Sequence, residues 1–344
     1  MHRRRFLRQL GWAGVAGGAA VLGHPIADAA GIHDSSGHGA TPAQMPLQMP
    51  LQMAHGGLGT TGTVDHARNG FNPHDILTDF DGGVVSTDAS GRVVREYEIT
   101  ALDKTIEVAP GVFFPAWTYN GRVPGPTIRA TEGDRLRITF RNFTSRHHTM
   151  HFHGMHPAEM DGVPGAGEVM SGDTFVYDFI AEPFGTHLYH CHSMPLRNHL
   201  HRGLYGAFIV DPKEGRPPAH EMVMVLNGFD ISGFGSNQTY AANTVAFAYS
   251  DQPIEIRAGE LQRLHVVNVT EFDPVNSLHL HANFFQLYRT GTSLTPHELT
   301  DTVSMGQAER HMLEFTYRSP GRYMCHAHQA LIMELGWMSA FQVV

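Results

Sequence analysis

The second half of this chain repeats the first, and that repeat limits the folds open to it more than any other feature. GPTIRATEGDRLRITFRN, residues 125–142, aligns with QPIEIRAGELQRLHVVN, residues 252–268. Each is followed about ten residues later by a His-x-His pair, first His151 and His153, then His279 and His281. GTHLYHCH, residues 185–192, aligns with GRYMCHAH, residues 321–328, and each half closes on an Ala-Phe step, Ala207-Phe208 and Ala340-Phe341. Self-similarity on this scale means two copies of one structural unit. Within each copy the runs are short, rich in Val, Ile, Thr and aromatics, and bounded by Gly, Pro, Asn and Asp. REYEITAL, KTIEVAP, DRLRITFRN, TFVYDFIA and GAFIVDP come first, then EMVMVLNG, QPIEIRAG, QRLHVVNV, FFQLYRTG and HMLEFTY. Such runs are strands, so the fold is all-β, two sandwiches or barrels, and 344 residues suffice for two cores.

The repeat begins near residue 92. Residues 1–29 read as an export signal: Arg3-Arg4-Arg5-Phe6-Leu7-Arg8 resembles a twin-arginine motif, a small apolar run follows, and Ala27-Asp28-Ala29 offers a cleavage site. Residues 30–91 are rich in Gly, Ala, Thr, Pro and Asp and read as a disordered segment; Met45, Met49 and Met53 with His33, His38 and His55 could hold Cu(I) there. The two domains are then expected at 92–212 and 218–344. No later apolar run approaches a membrane span. With 24 Lys and Arg against 33 Asp and Glu, no basic face is available for nucleic acid. The expected location is periplasmic or extracellular.

The 25 histidines point to metal. On a strand, residues two apart share a face and residues one or three apart point oppositely. In His190-Cys191-His192 the two imidazoles therefore face one way and the thiol the other. His148, three before His151, shares the thiol's side. One site then gathers Cys191, His148 and a third ligand from the following loop, the donor set of an electron-transfer copper. The other gathers eight imidazoles, His151, His153, His190, His192, His279, His281, His326 and His328, too many for one metal. The second copy has Ala327 for Cys191 and Asn276 for His148. It lacks the mononuclear ligands and keeps the cluster histidines.

VPGPTIRATEGD, HTMHFHG, YHCHSMPLRNHLHRGLYG, SLHLHA and CHAHQALIMELG together make the sequence resemble a small, two-domain laccase-like multicopper oxidase. The likeness covers residues 92–344. It implies two cupredoxin-like Greek-key β-sandwich domains, with type 1 copper on His148, Cys191 and His199 in the first. Leu204 occupies the axial position; Met194 is a second candidate for it, and His201 lies in the same loop. The eight imidazoles would hold the trinuclear cluster, with His151 and His279 on type 2 copper and the others on the type 3 pair. That makes four coppers per chain equivalent. Asp161 resembles a proton-relay acid, Cys325 reads as a small buried residue, and Glu334 as structural.

The implied activity couples one-electron oxidation of phenolic or aromatic small molecules to four-electron reduction of O2 to water. The resemblance also implies a homotrimer, with the clusters between domains of neighbouring chains. The alternatives are a cuprous oxidase serving copper tolerance and a copper nitrite reductase. His151 and His192 argue against the latter, because that family has an acid at the first position and no histidine at the second.

Overall fold

The computed structural model of the chain describes Leu58, Thr60 and residues 62–344. The export signal and the Met/His stretch at residues 33–55 lie outside the described residues. The strand-forming runs pair into four sheets, two per copy of the repeat. In the first copy, one sheet is built on Val93–Ala109, Arg135–Asn142 and Thr174–Ile180. Its partner runs Thr127–Thr131, Tyr205–Asp211, Gly185–His190, His151–Phe152. In the second copy His220–Phe229, Gln262–Asn268 and Arg310–Phe315 anchor one sheet. Ile254–Ile256, Met338–Val343, Gly321–His326 and Val275–Leu280 form the other in the same order as their counterparts. REYEITAL and KTIEVAP, read as two strands, are one, Val93–Ala109, which folds back through Gly111 onto Val112–Tyr119.

The repeat extends to hydrogen-bond register. His151 pairs with His190 across antiparallel strands, and His279 pairs with His326 in the same way. Tyr205 lies opposite His190 and Met338 opposite His326. Beyond each strand the same hydroxyl ties the next histidine: Thr149 Oγ1 accepts from His192 N at 2.7 Å, and Ser277 Oγ accepts from His328 N at 2.8 Å.

Each copy has its own core, one around Ile138, Phe140, Phe152 and Tyr189, the other around Leu264, Phe285, Trp337 and Phe341. A third apolar cluster lies between the copies: Phe114, Leu188 and Tyr205 from the first pack on Val223, Phe229 and Val267 from the second. Phe71 and Ile76 join that cluster, and Leu77 joins the second core. This corrects the reading of residues 30–91 as disordered throughout. Residues 62–91 carry helices His66–Asn69 and Pro73–Thr78 and strands Phe80–Asp81 and Val84–Thr87. A few large apolar residues suffice because they enter an existing cleft rather than forming a core of their own. Helix Pro73–Thr78 starts with Pro at its first turn and is capped by Asn72, whose side chain accepts from His74 N.

A buried ionic network also bridges the copies. Arg263, 3% exposed, pairs with Glu314 at 2.7 Å and Glu221 at 3.1 Å. Glu221 pairs in turn with Arg129, itself bound to Asp211. Removing the central cation leaves two carboxylates short of a partner in a desolvated site. Arg263→Met is expected to lower unfolding free energy by about 3–5 kcal/mol, read as a lower denaturant midpoint. An unchanged midpoint would contradict this account.

Candidate metal centres

Strand Gly185–His190 is buried along its whole length. Tyr189 packs into the first core and Leu188 into the cluster between the copies, so its two faces meet different surroundings. Cys191, in the same core as Tyr189, continues the first face, and His190 lies on the second.

On the Cys191 side three donor atoms converge. His148 Nδ1 lies 3.7 Å from the sulfur, His199 Nδ1 3.1 Å from it, and the two imidazole nitrogens are 3.2 Å apart. All three residues are buried. His199 reaches this point from helix Leu196–His201, which immediately follows the strand. Its loop neighbours do not. His201 accepts a hydrogen bond at Nε2 from Asp230 N at 2.9 Å and packs edge-on against Phe114 and Phe272. It is a tie to the second copy. Met194 is 70% exposed, so its side chain faces solvent and not this buried site. Leu204 is fully buried in the same core as Cys191, and its carbonyl accepts from Cys191 N at 3.0 Å.

Burial pushes His148 down to about 3 and His199 to about 4, so both imidazoles are neutral at pH 7 with lone pairs free for a metal. Burial raises the Cys191 thiol, against which Thr149 N donates to the sulfur at 3.3 Å. Two neutral imidazoles and one thiol, aimed at each other with all edges under 4 Å, make a compact His2Cys donor set that could hold one metal ion.

The opposite side holds His151, His153, His190 and His192, with ring centroids 5.2 to 5.8 Å apart. The second copy reproduces this quartet with His279, His281, His326 and His328. Backbone carbonyls set the tautomers, since a carbonyl only accepts. His151 Nδ1 donates to Asp161 O at 2.6 Å and His279 Nδ1 to Asp301 O at 3.0 Å. His190 Nδ1 donates to Cys191 O and His326 Nδ1 to Ala327 O. Each of these four therefore presents its Nε2 lone pair to its cluster. Burial lowers His151, His281 and His326, and takes His190 to about 4 and His153 to about 2.

Asp161 reaches His151 through a turn that only glycine permits. Gly162 has φ +68°, and a Cβ there would lie 2.1 Å from Met150 O. The Asp161 carboxylate stands 3.2 Å from His151 Nδ1 and 3.9 Å from His156 Nε2. Asp301 and Thr302, whose hydroxyl lies 2.8 Å from His279 Nδ1, escaped the sequence reading. The signal was the repeat itself: a carbonyl partner for His151 implies one for His279. Glu334 ends the short helix Ala330–Glu334 and takes no part in either quartet's contacts among the described residues.

The two quartets are separate. Among the described residues, every ring contact between these eight imidazoles stays within its own quartet. Exposed Met155, Phe284 and Leu331 follow closely on His153, His281 and His328.

Comparison with known proteins agrees with this geometry. Two family models described as multicopper oxidase match residues 101–215 and 217–344. A solved structure titled as a multicopper oxidase superposes with TM-score 0.81 at 53% identity, covering 82% of this chain and all of that one. The blue copper oxidase from Nitrosomonas europaea gives TM-score 0.65 at 30% identity, over 73% of this chain and 86% of that one. The copper-containing nitrite reductase of Neisseria meningitidis is 27% identical over 252 residues, 67% of this chain and 64% of that protein. A probable nitrite reductase-hydroxylamine oxidoreductase fusion protein of Kuenenia stuttgartiensis is 29% identical over 75% of this chain, which spans 32% of its length.

Both cysteines are free and buried, in different cores. In folded, copper-free protein a thiol reagent is expected to label neither at neutral pH and both after denaturation. Rapid labelling of Cys191 in the folded state would contradict the closed geometry.

Proposed function

Since the chain belongs to the multicopper oxidase family, we propose that this oxidoreductase is laccase-like: it takes single electrons from phenolic or aromatic donors and reduces O2 to water. The observation that carries this reading is the pair of matching imidazole quartets beside one Cys-His2 site. His148, Cys191 and His199 would hold a type 1 copper, with Leu204 as the non-coordinating axial neighbour. The eight quartet histidines would hold one type 2 and two type 3 coppers. Bound copper supplies reversible one-electron chemistry at the first site and storage of the four electrons that O2 requires at the second.

The protein's residues do the rest. His190 and His192 flank Cys191 in the chain, so one covalent segment links the two sites. The carbonyls of Asp161, Asp301, Cys191 and Ala327 hold ring orientation. The Asp161 carboxylate, 39% exposed and beside His151, is placed to pass protons inward from solvent.

Each quartet supplies half of the ligands, so the cluster forms where the first domain of one chain meets the second domain of another. A head-to-tail interface closes into a ring where its rotation allows, and the resemblance to two-domain multicopper oxidases implies a homotrimer. Exposed Met155, Phe284 and Leu331 beside the quartets give that contact its apolar part. The arginine-rich N-terminus supports export to the periplasm or outside the cell. No helix among the described residues is long and apolar enough to cross a membrane.

Nitrite reduction is a second reading, favoured by the Neisseria and Kuenenia relatives. A single type 2 copper would leave most of the eight imidazoles without a metal, which favours O2. A cuprous oxidase is the third, and Escherichia coli copper resistance protein A, 35% identical over 38% of this chain, supports it.

Cys191→Ser is expected to abolish both the intense blue absorption and oxygen uptake, His151→Ala to keep the absorption and lose oxygen uptake, and His201→Ala to keep the absorption. Loss of the blue band in His151→Ala would overturn the assignment of faces. Assembly has its own test. His151→Ala and His279→Ala chains, each inactive alone, are expected to regain oxygen uptake when refolded together, because about a quarter of randomly formed interfaces then pair two intact halves. Full activity in a monomer would exclude the shared cluster.

A further inference from the structure

His148 is fully buried and His199 is 3% exposed, so an organic donor cannot lie directly on either ring. Trp117 covers both. Its ring meets His199 edge-on at 4.9 Å between centroids and His148 at 5.6 Å, and the residue is only partly buried. Over it opens a groove of about 450 Å3, the size of site that takes a small aromatic molecule.

The rim of the groove carries a net positive charge. Arg146 and Arg202 line it, against the single carboxylate of Asp103, while Lys104, opposite Ala116 on the other face of its strand, turns its ammonium to the carbonyls of Asn69 and Gly121. The Arg146 guanidinium stacks 4.7 Å from the Trp117 ring and that of Arg202 stands 6.0 Å away. Arg146 meets Asp103 only at 3.5 Å, with both side chains about half exposed. Arg202 donates to Pro115 O, a bond that leaves its charge unneutralised. An indole floor with stacked guanidinium groups binds a flat ring, and the excess positive charge binds an acid group on that ring. No methionine or cysteine lines the groove, which makes it a poor place for Cu(I).

We propose that this groove is the electron-donor site and that it selects anionic aromatic reductants, phenols bearing a carboxylate or sulfonate, which hand their electron through Trp117 to His199. The proposal rests on the type 1 role of His199 given above. Each phenol loses one electron and its phenolic proton to become a phenoxyl radical. Four such donors supply the four electrons and four protons that convert one O2 to two waters.

The test uses copper-loaded full-length protein, with syringate as the anionic donor and syringol as its neutral counterpart. The wild type is expected to favour syringate in kcat/KM. Arg146→Gln should reduce that preference by about fivefold to tenfold, as loss of one charged contact does. Arg137→Gln, which removes an exposed charge outside the groove, should leave the preference unaltered. Trp117→Leu should retain the blue absorption and slow its anaerobic bleaching by both donors.

Binding is read independently of turnover, by calorimetry with the redox-inert anisate, whose affinity should fall in Arg146→Gln. An unchanged preference and unchanged anisate binding in Arg146→Gln, bleaching of Trp117→Leu at the wild-type rate, or oxygen uptake driven by Cu(I) and not by syringate would each overturn the proposal. Absence of any blue absorption in the wild type would instead remove the type 1 reading on which the proposal stands, while anisate would still report whether the groove binds anions.

Discussion

The structure depends on one strand that has no solvent-facing side. Gly185–His190 sits between the first core and the cluster between the copies, and the alternation of a strand converts that position into chemistry. Tyr189 and Cys191 are committed to one face; Leu188 and His190 are committed to the other. A register slip of one residue would put imidazoles into an apolar core and Tyr189 into the quartet, so packing enforces the division between the two sites. The buried apolar residues hold the ligands where they are, and the ligands need contribute little to the fold.

The second copy shows what the same strand does without a mononuclear site. Cys325 stands where Tyr189 does and fills core space; Ala327 stands for Cys191, and Asn276, which takes the place of His148, donates to Thr270 Oγ1 instead of facing a thiol. By cross-strand pairing Trp337 corresponds to Leu204. It is fully buried, with its indole N–H on Ser277 O. A large buried ring thus stands at the position that Leu204 holds in the first copy. Reversing Ala327 and Asn276 alone would not recreate the donor set, because helix Ala330–Glu334 carries no histidine where Leu196–His201 carries His199.

Features set by local periodicity were legible in the sequence. The repeat, the strands and the sorting of His148 and Cys191 from the quartet all follow from spacing and alternation. What depends on distant partners was not. His201 looked like a ligand competitor of His199, and its distinguishing contact, the Asp230 amide, lies in the other copy. Phe71, Ile76 and Leu77 lie in a segment whose composition reads as disorder, and they are ordered because a cleft formed by both copies receives them. Asp301 serves through its carbonyl oxygen, an atom every residue carries, so no residue type could announce it.

Under the proposed function, the quartets also give a physical reason for chains to associate. Carbonyl tethers at Nδ1 fix His190 and His326 with Nε2 as a lone pair, and each faces another imidazole Nε2, His153 at 3.1 Å and His281 at 2.8 Å. In a metal-free chain one ring of each pair must supply the proton between them. Burial lowers these rings, so they stay uncharged at neutral pH with lone pairs available to a cation. On that proposal each quartet is a half-site whose nitrogen donors are already oriented. Joining two half-sites satisfies both sets at once and covers the apolar residues beside them. On this argument, metal binding and chain association reinforce one another, each being weaker without the other.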